Sequence, residues 1–232
     1  FRNGSMYLTY TNEGMPIGAF WGYKTDGLIQ TQEQLNAVKR ADFQPNAELG
    51  DVLFVDTNGD GKLDSSDRCM IGNPIPDIIY GINMGMAWKG FDLNLQFGGT
   101  IGNQIFNAMR YYTYFPNDIT NKDRALMNYW TPNSTNTDIP RLTATDVNDN
   151  DRFSDMYVEN GTYFRLRNAQ LGYTLPASLT QRIKLQKVRF YVSGQNLFTI
   201  SSYSGMDPEV GQSSSLSRGI DYGIYPQNIS FT

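Results

Sequence analysis

The chain has 232 residues, a formal net charge of −4 at neutral pH and no histidine. The acidic balance excludes a nucleic-acid partner, because phosphate binding needs a basic face. Without histidine the commonest general base and all histidine metal sites are missing, and no pair of carboxylates stands out as an acid/base couple. The single cysteine, Cys69, allows no intrachain disulfide and is interpreted as an inert thiol. The sequence therefore predicts a protein that is not an enzyme.

The composition favours β structure. Aromatic residues make up 13% of the chain and glycines number 22, which predicts strands joined by long turns. The sequence contains no run of about 18 consecutive apolar residues, so no transmembrane helix is predicted. A membrane β-strand needs only alternate apolar residues over about 9–11 positions. A mean hydropathy of −0.45 is therefore compatible with a soluble or a membrane β protein.

The N-terminal part contains two strand candidates and one helix. The strands are predicted at Met6–Tyr10 and Ile17–Tyr23. Thr31, followed three residues later by Gln34, forms a capping-box pattern that predicts a short helix over 32–40.

An Asp-rich segment follows at 56–67. Oxygen side chains fall at positions 1, 3, 5, 9 and 12 of an EF-hand-type calcium loop, with glycine at position 6. The predicted calcium ligands are Asp56, Asn58, Asp60, Lys62 (through its carbonyl), Asp64 and Asp67. Two features differ from an EF-hand. Position 12 is Asp rather than Glu, and the preceding residues 52–55 are predicted to be extended rather than helical. A tight loop held by Asx-turns without metal is the alternative.

The segment 80–98 carries the clearest strand pattern. Large apolar residues alternate with small or polar ones on both sides of Lys89-Gly90, which predicts two strands joined by a two-residue turn. Trp88 then faces Phe91 and Met86 faces Leu93, so the large apolar side chains share one face. This apolar face is formed by Tyr80, Ile82, Met84, Met86, Trp88, Phe91, Leu93, Leu95 and Phe97. It suits either the core of a soluble sandwich or the lipid-facing side of a membrane barrel.

The region 99–161 contains an aromatic cluster. Its members are Tyr111, Tyr112, Tyr114, Phe115 and Trp130. Aromatic rings stack on sugars or apolar side chains, so Tyr111, Tyr112, Tyr114 and Trp130 are candidate substrate-binding residues. Packing of the loop against its neighbours is the alternative. A helix is also predicted over 118–130, with Ala125, Leu126 and Tyr129 on one face.

Two further strands are predicted, at Tyr163–Leu175 and Val188–Asn196. In the first of them the apolar residues change parity partway along, which predicts a bulge near Arg167-Asn168. Arg165 and Arg167 are interpreted as lining a lumen or, alternatively, a solvated face.

The predicted connections differ in length between the two ends of the strands. The turn at Lys89-Gly90 and the connection 176–187 are short or moderate, whereas 25–78, 99–161 and 198–222 are long. Compact soluble domains seldom carry several such loops on one side. Outer-membrane barrels do, with short turns in the periplasm and long loops outside. This asymmetry favours a barrel over a sandwich.

A series of short motifs follows the chain. They are Phe20-Trp21-Gly22-Tyr23-Lys24-Thr25-Asp26-Gly27, Gly50-Asp51, Asp56-Thr57-Asn58-Gly59-Asp60-Gly61, Ile71-Gly72-Asn73-Pro74-Ile75-Pro76-Asp77, Lys89-Gly90-Phe91-Asp92-Leu93, Tyr129-Trp130-Thr131-Pro132, Phe164-Arg165-Leu166-Arg167-Asn168, Leu171-Gly172-Tyr173, Gly194-Gln195-Asn196-Leu197, Asp207-Pro208-Glu209 and Gly219-Ile220-Asp221-Tyr222. In this order they resemble the C-terminal region of SusC/RagA-type TonB-dependent transporters of Bacteroidota.

The resemblance implies an all-β fold, namely a plugged, antiparallel, 22-strand transmembrane β-barrel with long extracellular loops containing short helices. Residues 1–232 would be its C-terminal part. The expected function is TonB-dependent import of a nutrient, an oligosaccharide/glycan or a peptide, across the bacterial outer membrane. The implied partners are outer-membrane lipid, a SusD-like lipoprotein acting as a lid, and TonB-ExbB-ExbD acting through a plug region that this chain lacks.

Both ends of the chain read as cut, and the final aromatic strand of such barrels is missing after Thr232. We therefore expect a fragment that transports nothing by itself. The alternative function is a secreted, calcium-stabilised β-sandwich that binds carbohydrate, which also explains the Asp-rich segment and the aromatic residues.

Overall fold

The computed structural model describes residues 2–3, 6–114, 121–210, 218–223 and 226–232. The chain divides into two compact units. The first, the loop unit, comprises residues 1–75, 104–159 and 210–224; the second, the sheet unit, comprises 76–103, 160–209 and 225–232.

The described secondary structure is mostly β. The strands are β1 Arg2–Asn3, β2 Met6–Tyr7, β3 Thr9–Tyr10, β4 Ala19–Gly22, β5 Thr25–Leu28, β6 Val52–Phe54, β7 Cys69–Gly72, β8 Ile78–Trp88, β9 Phe91–Ile101, β10 Gln104–Asn107, β11 Val158–Asn160, β12 Tyr163–Thr174, β13 Arg189–Ser201, β14 Ile220–Asp221 and β15 Ser230–Phe231. The α-helices are α1 Gln32–Arg40, α2 Ala108–Thr113 and α3 Ala177–Thr180, and 3₁₀ turns lie at Ser65–Asp67, Arg124–Asn128, Asp155–Tyr157 and Gln181–Ile183. None of the helices in the described ranges is long and apolar enough to cross a membrane.

The sheet unit is a five-stranded sheet in the order β15-β13-β12-β9-β8. Its strand pairs are antiparallel, and β8 and β15 form the two edges, so the described strands do not close on themselves. The predicted hairpin register is confirmed, with Trp88 opposite Phe91 and Met86 opposite Leu93. Lys89 and Gly90 both have positive φ, 49° and 91°, which is the conformation of a type I′ turn.

The predicted bulge in β12 is confirmed, since the register shifts between Leu166 and Asn168. The extra residue brings Leu166 and Leu171 to the same face of the sheet despite their odd separation. Strand β13 is longer than predicted. It passes Asn196, whose φ is +54°, and its pairing with β12 resumes at Phe198 and continues to Ser201.

The loop unit is built differently, from short strands around a buried core. Its small sheets contain strands of two to four residues, including a parallel pair formed by β10 and β14. Strands this short contribute few ladder hydrogen bonds, so apolar burial supplies most of the order. One core cluster consists of Leu8, Phe20, Ile71, Phe106, Ala108, Tyr111, Phe153, Tyr157 and Ile220, and a second consists of Tyr23, Leu28, Phe43, Val52, Phe54 and Trp130.

The helix predicted at 32–40 is confirmed as α1. The Thr31 hydroxyl accepts from the Gln34 backbone N–H at 3.2 Å, and the Gln34 side-chain oxygen accepts from the Thr31 N–H at 3.1 Å. The capping box therefore satisfies two backbone donors of the first turn. Leu35 is buried against Ile29 and Ala47, which anchors the helix to the rest of the unit.

The helix predicted over 118–130 is wrong in the described residues. Only the 3₁₀ turn Arg124–Asn128 forms, begun by the Asp123 carboxylate, which accepts from the Ala125 N–H at 2.8 Å. Tyr129 is already extended because the next residue, Trp130, donates its backbone N–H to the Ile139 carbonyl. Residues 118–120 and Phe115 lie outside the described residues.

The early strand predictions are confirmed in part. Met6–Tyr10 is divided into β2 and β3 at Leu8, whose carbonyl accepts from the Trp21 N–H at 2.7 Å. The strand predicted at Ile17–Tyr23 is shortened to β4. Helix α2 was not predicted; the Asn107 side chain accepts from the Arg110 N–H at 2.9 Å and begins it.

Candidate functional site

The apolar face of the sheet unit is exposed rather than covered. Met86 and Trp88 are 68% and 69% exposed, and Ile82, Met84 and Phe91 are also exposed. The remaining members of the predicted set, Tyr80, Leu93, Leu95 and Phe97, are half-buried. Strands β12 and β13 continue this face with Leu171, Phe190 and Val192, all exposed. A continuous apolar surface of this kind requires a partner other than water.

Aromatic residues mark both ends of this face. Near the turn at Lys89-Gly90, the rings of Phe91 and Tyr173 lie 4.5 Å apart between centroids. At the other end, Phe164 stacks with Phe97 at 5.3 Å and with Tyr80 at 6.4 Å. Strands β8 and β9 each have 11 residues, which matches the roughly 9–11 residues that a tilted strand needs to cross a bilayer. Aromatic girdles around an apolar band are typical of membrane β-sheets.

The opposite face of the sheet is polar and carries a cross-strand ion pair. Arg189 on β13 donates from Nε to Asp92 Oδ1 at 3.0 Å and from Nη2 to Oδ2 at 2.5 Å. Asp92 pairs with Gly172 on one side of β12, and Arg189 pairs with Thr174 on the other side, two residues further along the strand. A Cβ atom at Gly172 would lie 2.4 Å from Arg189 Nη2 and 2.6 Å from Asp92 Oδ1. A side chain at position 172 would therefore displace the ion pair from its present position.

Arg165 and Arg167 hold a connecting segment against the sheet. Arg165 is only 3% exposed; it pairs with Asp207, donates to Glu209 at 2.9 Å and donates to the Thr199 hydroxyl at 2.9 Å. Arg167 donates to the other Glu209 oxygen at 3.0 Å. The sequence interpretation of a lumen or solvated face did not foresee this clamp. The sequence signal that could have predicted these ion pairs is the acid on each side of Pro208. Asp207 and Glu209 have the same two-residue spacing as Arg165 and Arg167 and the opposite charge.

In the loop unit a buried polar network joins two distant segments. Asp51 is fully buried and accepts from Arg141 Nε at 2.6 Å and from Asn150 Nδ2 at 3.1 Å. Asn150 also accepts from the Val52 N–H at 2.8 Å. Burial by itself lowers the pKa of Arg141, but the hydrogen bond and charge of Asp51 raise it above its usual value. The network was not predicted, because its members lie about a hundred residues apart.

Trp130 fills the space that a glycine leaves beside this network. A Cβ atom on Gly50 would lie 2.2 Å from the Trp130 ring, and Gly50 has a φ of +87° that disfavours other residues. The Gly50 carbonyl accepts from the Arg141 N–H at 2.9 Å. The segment around Gly50 is therefore packed directly against the segment that contains Trp130 and Arg141.

The predicted substrate-binding aromatic residues do not form one cluster. Trp130 is 5% exposed in the second core cluster, and Tyr111 is 8% exposed in the first. Tyr112 is exposed, and Tyr114 is half-buried with the Arg110 guanidinium 4.9 Å from its ring centroid. In this conformation the first two rings contribute to packing, and the second two remain accessible to a ligand. The substrate-binding role stays a prediction.

A cavity of about 250 Å³ opens in the loop unit. Its walls combine apolar side chains with hydroxyl, amide and carboxylate groups, a mixture common in ligand sites. The lining residues are Thr25, Gly27, Leu28, Gln30, Val52, Thr137, Asp138 and Met156.

The Asp-rich segment is held by hydrogen bonds to its own backbone. Asp56 accepts from the Gly59 N–H at 2.6 Å and from the Gly61 N–H at 2.8 Å. The hydrogen bond from Gly61 is the main reason why the Asp56 pKa lies below its usual value. Asp67 is buried and accepts from the Thr57 and Asp64 N–H groups. Among the described residues, no three His, Cys, Asp or Glu side chains are arranged around a common metal position. Calcium binding stays a prediction.

An apolar face between aromatic ends and a polar face with an ion pair are the features of a membrane β-sheet. No family model matches the chain. The chain is 38% identical over 230 residues to TonB-dependent receptor P3 of Formosa agariphila, covering 95% of this chain and 22% of that protein. It is 29% identical to TonB-dependent receptor SusC of Bacteroides thetaiotaomicron, covering 82% of this chain and 18% of that protein. The chain belongs to the SusC/RagA TonB-dependent receptors, which are proteins of the bacterial outer membrane.

Solved structures share the fold. The structure of the RagAB peptide transporter matches with a TM-score of 0.69 and 23% identity over 97% of this chain and 24% of that one. The "open-open" state of the RagAB peptide importer matches with a TM-score of 0.70 over 99% of this chain. The chain spans about a fifth of the length of the curated relatives it matches.

Proposed function

We propose that this chain supplies part of the wall and external loops of a TonB-dependent importer in the outer membrane. The observation that carries the proposal is the exposed apolar face, because strands of this length and pattern suit a lipid bilayer and would be unfavourable in water. In this arrangement the apolar face contacts acyl chains, and the polar face with its Arg189–Asp92 pair borders the passage.

The sheet unit would be part of a closed, plugged 22-strand barrel. The two shorter connections, at Lys89-Gly90 and 175–188, then lie in the periplasm, and the long connections lie outside the cell. A SusD-like lipoprotein acts as the lid over the external loops. TonB-ExbB-ExbD supplies energy through the plug.

The loop unit would help to capture the nutrient, an oligosaccharide/glycan or a peptide. Its buried network around Asp51 includes the backbone of Val52, which lines the cavity near Leu28, and so keeps this wall of the cavity ordered. An ordered surface loses less conformational entropy when a ligand binds. The lid and loops enclose the ligand, TonB pulls on the plug, and the ligand passes along the polar face.

The position of the membrane can be tested by cysteine labelling of the full-length receptor in outer-membrane vesicles, in a Cys69→Ser background. Met84→Cys and Leu95→Cys should react with a lipid-soluble maleimide and resist a membrane-impermeant one. Asn83→Cys and Asn94→Cys, on the opposite face of the same strands, should be labelled by a small water-soluble maleimide. Equal labelling of both pairs by the water-soluble reagent would contradict the proposal.

Transport is tested by deleting the gene for the full-length receptor in its host and measuring growth on separate panels of glycans and peptides. Loss of growth on one class, restored by the intact gene, identifies the substrate. Restoration should fail when the gene for TonB is also removed. Undiminished growth on every nutrient of both panels would argue against a role in import.

The alternative of a secreted carbohydrate-binding sandwich requires a second layer over the apolar face. The described residues leave Met84, Met86 and Trp88 exposed on that face. A soluble, monomeric full-length protein that binds sugars without detergent would favour the sandwich instead.

Calcium in the 56–67 loop is a further proposal. The proposal is supported by five oxygen side chains and the Lys62 backbone carbonyl in the spacing of a calcium loop. We expect calcium to protect the segment 56–67 of the full-length receptor from proteolysis, and a chelator to remove the protection. The double substitution Asp56→Asn and Asp60→Asn should abolish the effect. Protection that is the same with and without calcium would count against a metal.

A further inference from the structure

The two shorter connections of the sheet unit, from β8 to β9 and from β12 to β13, meet at one end of the sheet. The Thr174 N–H donates to the Gly90 carbonyl at 2.8 Å, which joins the end of β12 to the β8–β9 turn. The Leu175 N–H donates to the Val188 carbonyl at 2.9 Å, which closes the connection from β12 to β13. Side chains of both connections therefore share one surface, which we call the turn-end surface.

The turn-end surface carries unbalanced positive charge. Lys89, Arg182, Lys184 and Lys187 are all exposed, and no ion pair in the described part of the chain involves any of them. The segments 78–91 and 174–190 contain no Asp or Glu. The nearest acid along the strands, Asp92, is paired with Arg189. Lys187 still interacts electrostatically with Asp92, so among the described residues the cations without a compensating carboxylate are Lys89, Arg182 and Lys184.

The same surface borders the apolar face. Trp88 and Phe190 are 69% and 64% exposed, and the Lys89 ammonium lies 4.7 Å from the centroid of the Trp88 ring. Leu179 and Leu185 are also about half exposed in the β12–β13 connection. Cations beside exposed aromatic and aliphatic side chains are typical of a surface at the boundary between headgroups and acyl chains.

The opposite end of the sheet has a different charge pattern. There Arg165 and Arg167 are neutralised by Asp207 and Glu209. Aromatic residues occur at both ends, but uncompensated cations occur only at the turn end of the described sheet. A protein in water would gain nothing from having its unpaired cations at only one end of a sheet.

We propose that the turn-end surface binds the phosphate headgroups of anionic phospholipids in the leaflet next to the β8–β9 and β12–β13 connections. The inference rests on the proposed position of the apolar face in a bilayer. The ammonium and guanidinium groups supply charge to the phosphates, and Trp88 and Phe190 insert beside the first acyl carbons. Each basic residue near an anionic membrane strengthens attachment by about fivefold, and added salt weakens it.

The test uses the full-length receptor in nanodiscs made from equal parts phosphatidylcholine and phosphatidylglycerol. The quadruple variant K89Q/R182Q/K184Q/K187Q is compared with K24Q/K39Q/R40Q/R124Q, which removes the same number of positive charges from exposed positions of the loop unit. Lipids retained after stepwise delipidation are quantified by mass spectrometry. Wild type and the loop-unit variant should retain phosphatidylglycerol severalfold over phosphatidylcholine, and the turn-end variant should lose most of that preference.

Equal phosphatidylglycerol enrichment in the turn-end variant would overturn the inference, and so would equal loss in the loop-unit variant. Displacement of the lipid by inorganic phosphate at matched ionic strength would identify a site for soluble anions and overturn it as well. The proposed function is judged separately. A receptor that inserts correctly but shows no lipid preference contradicts only this inference, whereas one that fails to enter the bilayer contradicts the proposed function.

Discussion

The two units of this chain place similar apolar residues in opposite environments, buried in the loop unit and exposed on one face of the sheet unit. In the loop unit, aromatic side chains such as Phe20 and Phe54 are buried, and buried charges such as Asp51 and Asp67 have hydrogen-bonding partners. In the sheet unit, Met86 and Trp88 are exposed while Arg165 is buried. The difference shows that alternation of residue types establishes which side chains share a face, whereas the surrounding medium decides which face is outside.

The largest effect is expected in the loop unit, from Arg141→Ala. This change leaves the fully buried Asp51 carboxylate without its ion-pair partner, which costs about 3–5 kcal/mol when a buried pair is broken. Residues 44–54 of the full-length receptor should lose hydrogen-exchange protection. Arg40→Ala, at an exposed position on α1, is the control and should leave protection unchanged.

A double variant distinguishes an unpaired charge from lost packing. Removing the carboxylate as well, with Asp51→Asn and Arg141→Met, should restore part of the protection, because no buried charge then remains. If the double variant is as unprotected as Arg141→Ala, packing around Trp130 rather than charge dominates the network.

The second largest effect is expected in the sheet unit, from Leu95→Arg. A charge on the lipid-facing side near the middle of a membrane strand costs about 2–4 kcal/mol. The neighbouring change Asn94→Arg places the same side chain on the polar face and should cost far less. Urea unfolding of the full-length receptor in lipid vesicles measures both. Two equal, small effects would mean that neither face contacts lipid, and the contrast between the units would disappear.

A third effect is expected on the polar face, from Gly172→Ala. The added Cβ atom meets Arg189 and Asp92 at 2.4 and 2.6 Å, so the ion pair must move. Overpacking of this kind costs about 1–3 kcal/mol, and the lower end is expected because Arg189 is flexible. Gly85→Ala is the matched control, since its Cβ atom would meet only the Asn94 side chain, at 3.4 Å. The two variants are compared by the same unfolding measurement. Equal losses would show that Gly172 is not specifically required.

The sequence predicts the sheet unit far better than the loop unit. The hairpin register and the β12 bulge follow from alternation over about ten neighbouring residues, which is a local signal. The buried polar network of Asp51, Arg141 and Asn150 has no such local signal, because its members come together only in the complete fold. For the same reason the aromatic residues of the loops could be identified as important, but the burial of Trp130 could not be deduced.

The smallest effect concerns the pH dependence of the loop unit through Asp146. Burial raises the pKa of this carboxyl above its usual value of 3.8, while hydrogen bonds from Asn150 and Asp151 partly oppose the shift. The folded state then holds the proton more tightly than the unfolded state does, so this group lowers stability as pH rises above 3.8 through the folded pKa. Asp146→Asn removes that dependence, and the stability of the variant relative to wild type should increase from about pH 4 to about pH 7. The measurement is the urea concentration at which proteolysis of residues 44–54 begins. A relative stability that is flat or falls over this range would show that Asp146 is hydrated as well in the folded unit as in the unfolded chain.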